Sequence, residues 1–168
     1  MERLPEYLIL DPRNDRLSRP ALRELQSMRL RAMVGYCYAQ TAFWRRKFDA
    51  AGLKPEEIRS VDDLPKIPFC TKAELQADQE ANPPFGSYVG APRSHWARYA
   101  ATSGTTGVPV RRVFSARDWR YMIDRFRRNP NAGPGDIAVI LGPVDGLIGP
   151  MVSSDSLAAM GVMVVQAG

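Results

Sequence analysis

Apolar residues recur at three- and four-residue spacing through Leu22, Leu25, Met28, Ala32, Met33, Tyr36 and Cys37, which predicts one amphipathic helix over residues 18–38 with Ser18 as its cap. Leu25 and Met33 are expected on its buried stripe, with arginines on the opposite face. A shorter helix is predicted over 42–50, stopped by a left-handed Gly52 and burying Phe43, Trp44 and Phe48. Between residues 54 and 84, Pro55, Pro65, Pro68, Pro83 and Pro84 leave room only for short helices. Ser60 with Asp63 and Thr71 with Glu74 are capping pairs, the second opening a helix that runs to Glu80. Residues 82–92 read as loop. Residues 1–17, with Pro5, Pro12 and the turn at Arg13-Asn14-Asp15, read as an arm.

From residue 93 the period changes. Residues 96–101 are extended, and Val108, Val110, Val113 and Phe114 continue as extended chain after a polar turn. Ser115 and Asp118 then cap a helix that buries Trp119, Met122, Ile123 and Phe126 and ends near Asn129. Gly133-Pro134-Gly135-Asp136 makes a turn into the apolar run 137–141. A helix fits 146–160, and a second apolar run fills 162–165. Strand, helix, strand implies a parallel pair, so the fold class is α/β: a helical region over 18–92, then a β-hairpin and a parallel strand-helix-strand unit over 93–168. The loop after Leu141 would border the crevice beyond the strand ends.

The hairpin's turn carries the chemistry. Between two strands, Thr102, Ser103, Gly104, Thr105, Thr106 and Gly107 combine hydroxyl donors with two glycines that can turn backbone N–H groups towards one point, which is what phosphate oxygens require. Spacing alone also fits a plain Gly/Thr turn with no ligand. It is no Walker A loop, because Val108 stands where that loop has lysine.

Composition and charge narrow the setting. The 168 residues, 45% apolar, suffice to bury about two thirds of the surface an unfolded chain of this size exposes. The net charge of +5 is mostly arginine, in two runs: seven arginines against Glu24 over residues 16–46, and seven against Asp118 and Asp124 over 111–128. Such runs could read nucleic acid or serve phosphate-bearing ligands, but at helical spacing opposite apolar residues they read first as solvated faces. Cys37 and Cys70 have neither ligand spacing nor a disulfide framework, no apolar run is long enough for a membrane span, and a cytoplasmic protein is expected. His95 has no visible Ser or Cys partner arrangement. No catalytic or metal-ligating residue is assigned, and neither nucleic acid nor membrane is expected as a partner.

Ser103-Gly104-Thr105-Thr106-Gly107 followed by Pro109 resembles the phosphate-loop signature of adenylate-forming enzymes, the acyl-CoA synthetase superfamily. Before it, Phe43-Trp44-Arg45-Arg46-Lys47-Phe48, Asp63-Leu64-Pro65, Ile67-Pro68-Phe69 and Thr71-Lys72 are similar, in order, to the N-terminal region of phenylacetate-CoA ligases, a resemblance that covers residues 20–168. It implies that residues 1–168 form the N-terminal portion of an adenylate-forming domain. It implies ATP, Mg²⁺ and CoA as cofactors, a small carboxylate as substrate, and a two-step reaction through an acyl-adenylate to a thioester. Thr102, Ser103, Gly104, Thr105, Thr106 and Gly107 would hold the phosphates of ATP.

Two departures stand out against that family. Val108 replaces the lysine usual between Gly and Pro, and Arg111 or Arg112 could supply the missing charge. The crevice loop, where arylacetate-accepting relatives have an aromatic-rich run, reads Val144-Asp145-Gly146-Leu147-Ile148, so Asp145, Gly146, Leu147 and Ile148 are candidate substrate-crevice residues and an arylacetate substrate is in question. Asp145 reads first as a cap for the helix that follows. The family's adenine, ribose and Mg²⁺ contacts and its lid with a catalytic lysine would lie beyond residue 168. The first expectation is therefore part of a ligase, inactive by itself. The alternative is a non-catalytic nucleotide-binding or assembly subunit completed by a second chain.

Overall fold

The computed structural model of the chain describes residues 11–104, 107–128, 132–143 and 146–167. In chain order the helices and strands are α1 (Pro12–Asp15), α2 (Arg19–Gln40), α3 (Ala42–Ala50), α4 (Lys72–Ala81), β1 (Trp96–Ala101), β2 (Arg111–Ser115), α5 (Ala116–Phe126), β3 (Ile137–Ile140), α6 (Ile148–Ala159) and β4 (Met163–Gln166). They form two compact units, one of Arg16–Pro92 and one that joins Met1–Asp15 to Arg93–Gly168.

The first unit is helical. Ser18 caps α2 by accepting from the Ala21 amide, and the helix ends where Thr41 turns extended. Two carbonyls of its last turn, Tyr38 and Ala39, accept from the Arg45 guanidinium at 2.9 and 2.7 Å. Past α3, Gly52 takes φ +64, and the amides of Gly52 and Leu53 close on Asp49 and Phe48, as expected of a left-handed stop. Thr71 and Glu74 make the expected capping box at the start of α4, and Ser60 with Asp63 does the same for a 3-10 segment, Val61–Lys66. The core is Val34, Phe48, Leu53 and Ile58, with Leu30, Cys37, Tyr38 and Trp44 packed around it.

That core corrects the expected stripe of α2. Met33 is 60% exposed and Leu25 only half-buried, while Ser27 and Val34 are the buried positions. The seam runs through Ser27, Leu30, Val34 and Cys37. A serine can occupy it because its hydroxyl donates to the Arg23 carbonyl at 2.9 Å and accepts the Val61 amide at 3.2 Å.

In the second unit β1 and β2 pair antiparallel, with Ala101 opposite Arg111 and a bulge between Trp96 and Arg98. Ser115 and Asp118 box the start of α5, whose Trp119 is buried; the expected end at Asn129 lies outside the described residues. β3 and β4 pair in parallel, Ile137 against Met163 and Val139 against Val165, with α6 as the crossover. Within the stretch read as an arm, Pro12–Asp15 makes one helical turn, and Asp15 pairs with Arg128.

Candidate phosphate-binding site

The hairpin turn is anchored by two buried residues, Ala100 before it and Val110 after it. Between them Thr102 closes the mouth twice: its amide donates to the Val110 carbonyl at 3.1 Å, and its hydroxyl accepts the Val110 amide at 3.0 Å. A hydroxyl that accepts there keeps its own hydrogen for a further acceptor. Gly104 takes φ +67, and a Cβ on it would stand 2.9 Å from Pro109 Cγ and 3.0 Å from the Gly107 carbonyl oxygen. Only glycine fits that position. Gly107 takes φ +122 and donates its amide to Gly104 at 2.8 Å, so it shapes the turn and its N–H is used there. Ser103 stands exposed at the tip; Thr105 and Thr106 lie outside the described residues.

Gly146 and Leu147, of the segment expected to border a crevice, lie alongside this hairpin. β1 has β2 on one edge, and on the other the Ala101 amide donates to the Gly146 carbonyl at 2.7 Å, with Ala101 and Leu147 forming a parallel bridge. Gly146 takes φ +122, and a Cβ there would come within 3.3 Å of the Tyr99 ring. Leu147 occupies the cap position of α6 and makes no side-chain cap bond, so the cap position lies two residues past Asp145, the residue read as the cap; Asp145 itself is outside the described residues. Ile148 is the first residue of α6. The structure thus brings Thr102, Ser103, Gly104 and Gly107 to the same end of β1 as Gly146, Leu147 and Ile148.

A brace holds this arrangement together. Asp155 on α6 accepts the Trp119 indole N–H at 2.7 Å and pairs with Arg98 of β1 at 3.2 Å, while the Arg98 guanidinium lies 5.5 Å from the Trp119 ring centroid. Hairpin, α5 and α6 meet in these three side chains. The sequence marks Trp119 as a buried residue of α5, as observed, but shows neither its link to Arg98 and Asp155 nor the place of Tyr99, because their partners are tens of residues apart and no short motif records such pairs. Of the two arginines after Val108, Arg111 is half-buried opposite Ala101, and Arg112 is exposed opposite Ala100.

Amides and hydroxyls are donors, so the described loop suits an anion and brings no carboxylate to a cation. Among the described residues no three His, Cys, Asp or Glu side chains converge on a metal position. Neither thiol is primed for attack: burial pushes Cys37 up, and burial followed by the Glu74 carboxylate pushes Cys70 up. A groove of about 850 Å³ in the helical unit lies between α3 and α4, where Arg46 pairs with Asp78 at 2.7 Å and Lys47 pairs with Glu74. Its cations are committed to those pairs.

No family model matches the chain. It is 41% identical over 103 residues to a phenylacetate-coenzyme A ligase of Thermus thermophilus, covering 61% of this chain and 22% of that protein. With the enzyme of the same name from Aromatoleum evansii it shares 35% identity over 129 residues, 75% of this chain and 28% of that one. A crystal structure of 2-hydroxyisobutyryl-CoA ligase in complex with 2-HIB-AMP and CoA, in the thioesterification state, superposes with TM-score 0.82 at 29% identity, over 94% of this chain and 34% of that one. Another of that ligase, in the postadenylation state with R3-HIB-AMP, superposes with TM-score 0.86 over the whole chain at 23% identity, which speaks to the fold. The chain spans about a quarter of the length of the curated relatives it matches. Sequence and fold agree: the chain belongs to the phenylacetate-CoA ligase-like branch of the adenylate-forming, acyl-CoA synthetase superfamily.

Proposed function

We propose that this chain supplies the phosphate-holding part of a carboxylate-CoA ligase. The observation that carries the reading is the pairing of two loops at one end of β1: the glycine-shaped hydroxyl turn, and the 146–148 segment hydrogen-bonded to Ala101. In the reaction that relatives' names imply, a carboxylate oxygen attacks the α-phosphorus of ATP and pyrophosphate leaves. The sulfur of CoA then attacks the acyl carbon and AMP leaves. Thr102, Ser103, Gly104, Thr105 and Thr106 would hold the β- and γ-phosphates, offering donors where negative charge collects on the departing pyrophosphate, while Gly107, its own N–H given to Gly104, would shape the turn around them. Gly146, Leu147 and Ile148, with Asp145, would border the carboxylate. Mg²⁺ has no carboxylate to hold it among the described loop residues.

The purified 168-residue chain is expected to form no thioester from carboxylate, ATP and CoA. Supplied with the remaining length of a relative, it is expected to release AMP from ATP in the presence of a small carboxylate and CoA, and a Thr105→Val, Thr106→Val double variant is expected to lose most of that release. Thioester formation by the chain alone, or full AMP release by the double variant, would refute the reading. The second reading, a non-catalytic nucleotide-binding subunit, is favoured if the completed assembly binds ATP but turns nothing over.

A further inference from the structure

The turn between β1 and β2 offers hydroxyls and amides but no cation: from Thr102 to Val110 no residue is charged, and Val108 stands exposed in it. Neutral donors orient phosphate oxygens, but a pyrophosphate group also brings several negative charges, and a guanidinium or an ammonium answers those best. The chain's lysines end at Lys72, in the helical unit. On the two strands that carry the turn the cations are Arg98, Arg111 and Arg112, and the register of the hairpin sorts them.

Successive side chains of a strand point to opposite faces, and residues paired across an antiparallel ladder share one. One face of the hairpin carries Arg98, Ala100, Arg112 and Phe114. It is turned to α5, because the Arg98 guanidinium and the Phe114 ring lie 5.5 and 5.6 Å from the centre of the Trp119 ring, and Arg98 is committed there to Asp155. The other face carries Tyr99, Ala101, Arg111 and Val113, and on it the Tyr99 ring fills the place of a Gly146 side chain. Arg111 is paired with Ala101, whose amide holds the Gly146 carbonyl, and follows Val110, which Thr102 clasps by amide and hydroxyl. The bonds that close the turn therefore also fix the root of the Arg111 side chain. Half-buried, Arg111 meets less screening by water than the exposed Arg112.

We infer that Arg111 is the cation of the phosphate site: its guanidinium takes oxygens of a pyrophosphate group seated on Thr102, Ser103 and Gly104, two N–H groups to one phosphate. Arg98 and Arg112, on the face turned to α5, take no part. The inference rests on the phosphate reading proposed above and names the charged residue that completes it.

The test is a pyrophosphate titration of the whole chain at low, fixed salt, followed by backbone amide and arginine Nε–H resonances, with Arg111→Gln and Arg112→Gln alongside. The two variants lose the same charge one residue apart, so a general field effect weakens binding equally in both. Arg111→Gln is expected to weaken pyrophosphate binding about tenfold or more and Arg112→Gln less than about threefold. The Trp119 indole N–H, on the other face, reports whether each variant keeps the fold. In the unsubstituted chain, where folding is not in question, pyrophosphate is expected to move the Arg111 Nε–H resonance and to leave that of Arg112 in place. Equal weakening in folded variants, or an Arg111 Nε–H that stays still while residues 102–104 respond, would overturn the inference and leave the phosphate turn standing. If pyrophosphate moves no resonance at all, the phosphate reading fails and the inference falls with it.

Discussion

The amide of Ala101 donates to the carbonyl of Gly146 at 2.7 Å, and this single bond ties the strand that feeds the hydroxyl-rich turn to the loop that opens α6. Residues 45 positions apart in sequence thereby place their two loops at one strand end. Gly146 can approach because it has no side chain; the Tyr99 ring occupies the space a Cβ would need.

Gly104 should tolerate no side chain. At φ +67, with the Gly107 carbonyl oxygen and Pro109 both within 3.0 Å of where a Cβ would stand, Gly104→Ala should cost about 1 to 3 kcal/mol in urea unfolding. The same substitution at Gly133, which has open space around it and no left-handed φ, should cost less than about 0.5 kcal/mol. Equal costs at the two sites would remove the conformational argument for the turn.

In the helical unit, Phe48→Ala should cost about 3 to 5 kcal/mol and Met33→Ala less than about 0.5, because Phe48 is 2% exposed and Met33 lies outside the seam. Chemical denaturation of both variants checks this. A large loss at Met33 would restore the stripe that the apolar spacing alone predicts.

That stripe shows where the sequence was and was not legible. Spacing and capping pairs found most element bounds to within two or three residues, β1 and α3 among the best, because local signals such as Gly52 and the Thr71/Glu74 box act over a few residues. They placed the turn of 102–107 between two strands, and the strand-helix-strand order gave the parallel pair. The face of α2 was misread because methionine and tyrosine look like core and serine does not, yet Ser27 is satisfied by Arg23 and Val61, the second from a segment 34 residues away. The Ala101–Gly146 bond and the Arg98–Asp155–Trp119 brace were invisible for the same reason: each joins segments that only the fold brings together.

Acid should destabilise the helical unit between about pH 4.5 and pH 2. The Lys47 ammonium and then the Thr71 amide hold Glu74 at about 2, and Lys66 and then the Arg59 and Ser60 amides hold Asp63 at about 2. Both carboxyls bind their proton less readily folded than unfolded, so their contribution is complete above the unfolded values and is lost as pH falls towards the folded ones. Urea midpoints measured from pH 6 to pH 2 should fall through that window, and Lys47→Met should flatten the part due to Glu74. A midpoint independent of pH below 4.5 would contradict these pairings.

Whether the turn of 102–107 holds phosphate is read by a chemical-shift titration of the chain with pyrophosphate and with adenosine. Only the phosphate part of a nucleotide's binding energy is expected from this chain, so the dissociation constant should be near 1 mM, about 4 kcal/mol. Pyrophosphate should shift resonances of residues 102–108 at low salt, adenosine should not, and the Thr105→Val, Thr106→Val variant should lose the response. If pyrophosphate moves none of those resonances, or moves the double variant equally, the turn is a plain hairpin and the likeness to CoA ligases is one of fold and descent alone.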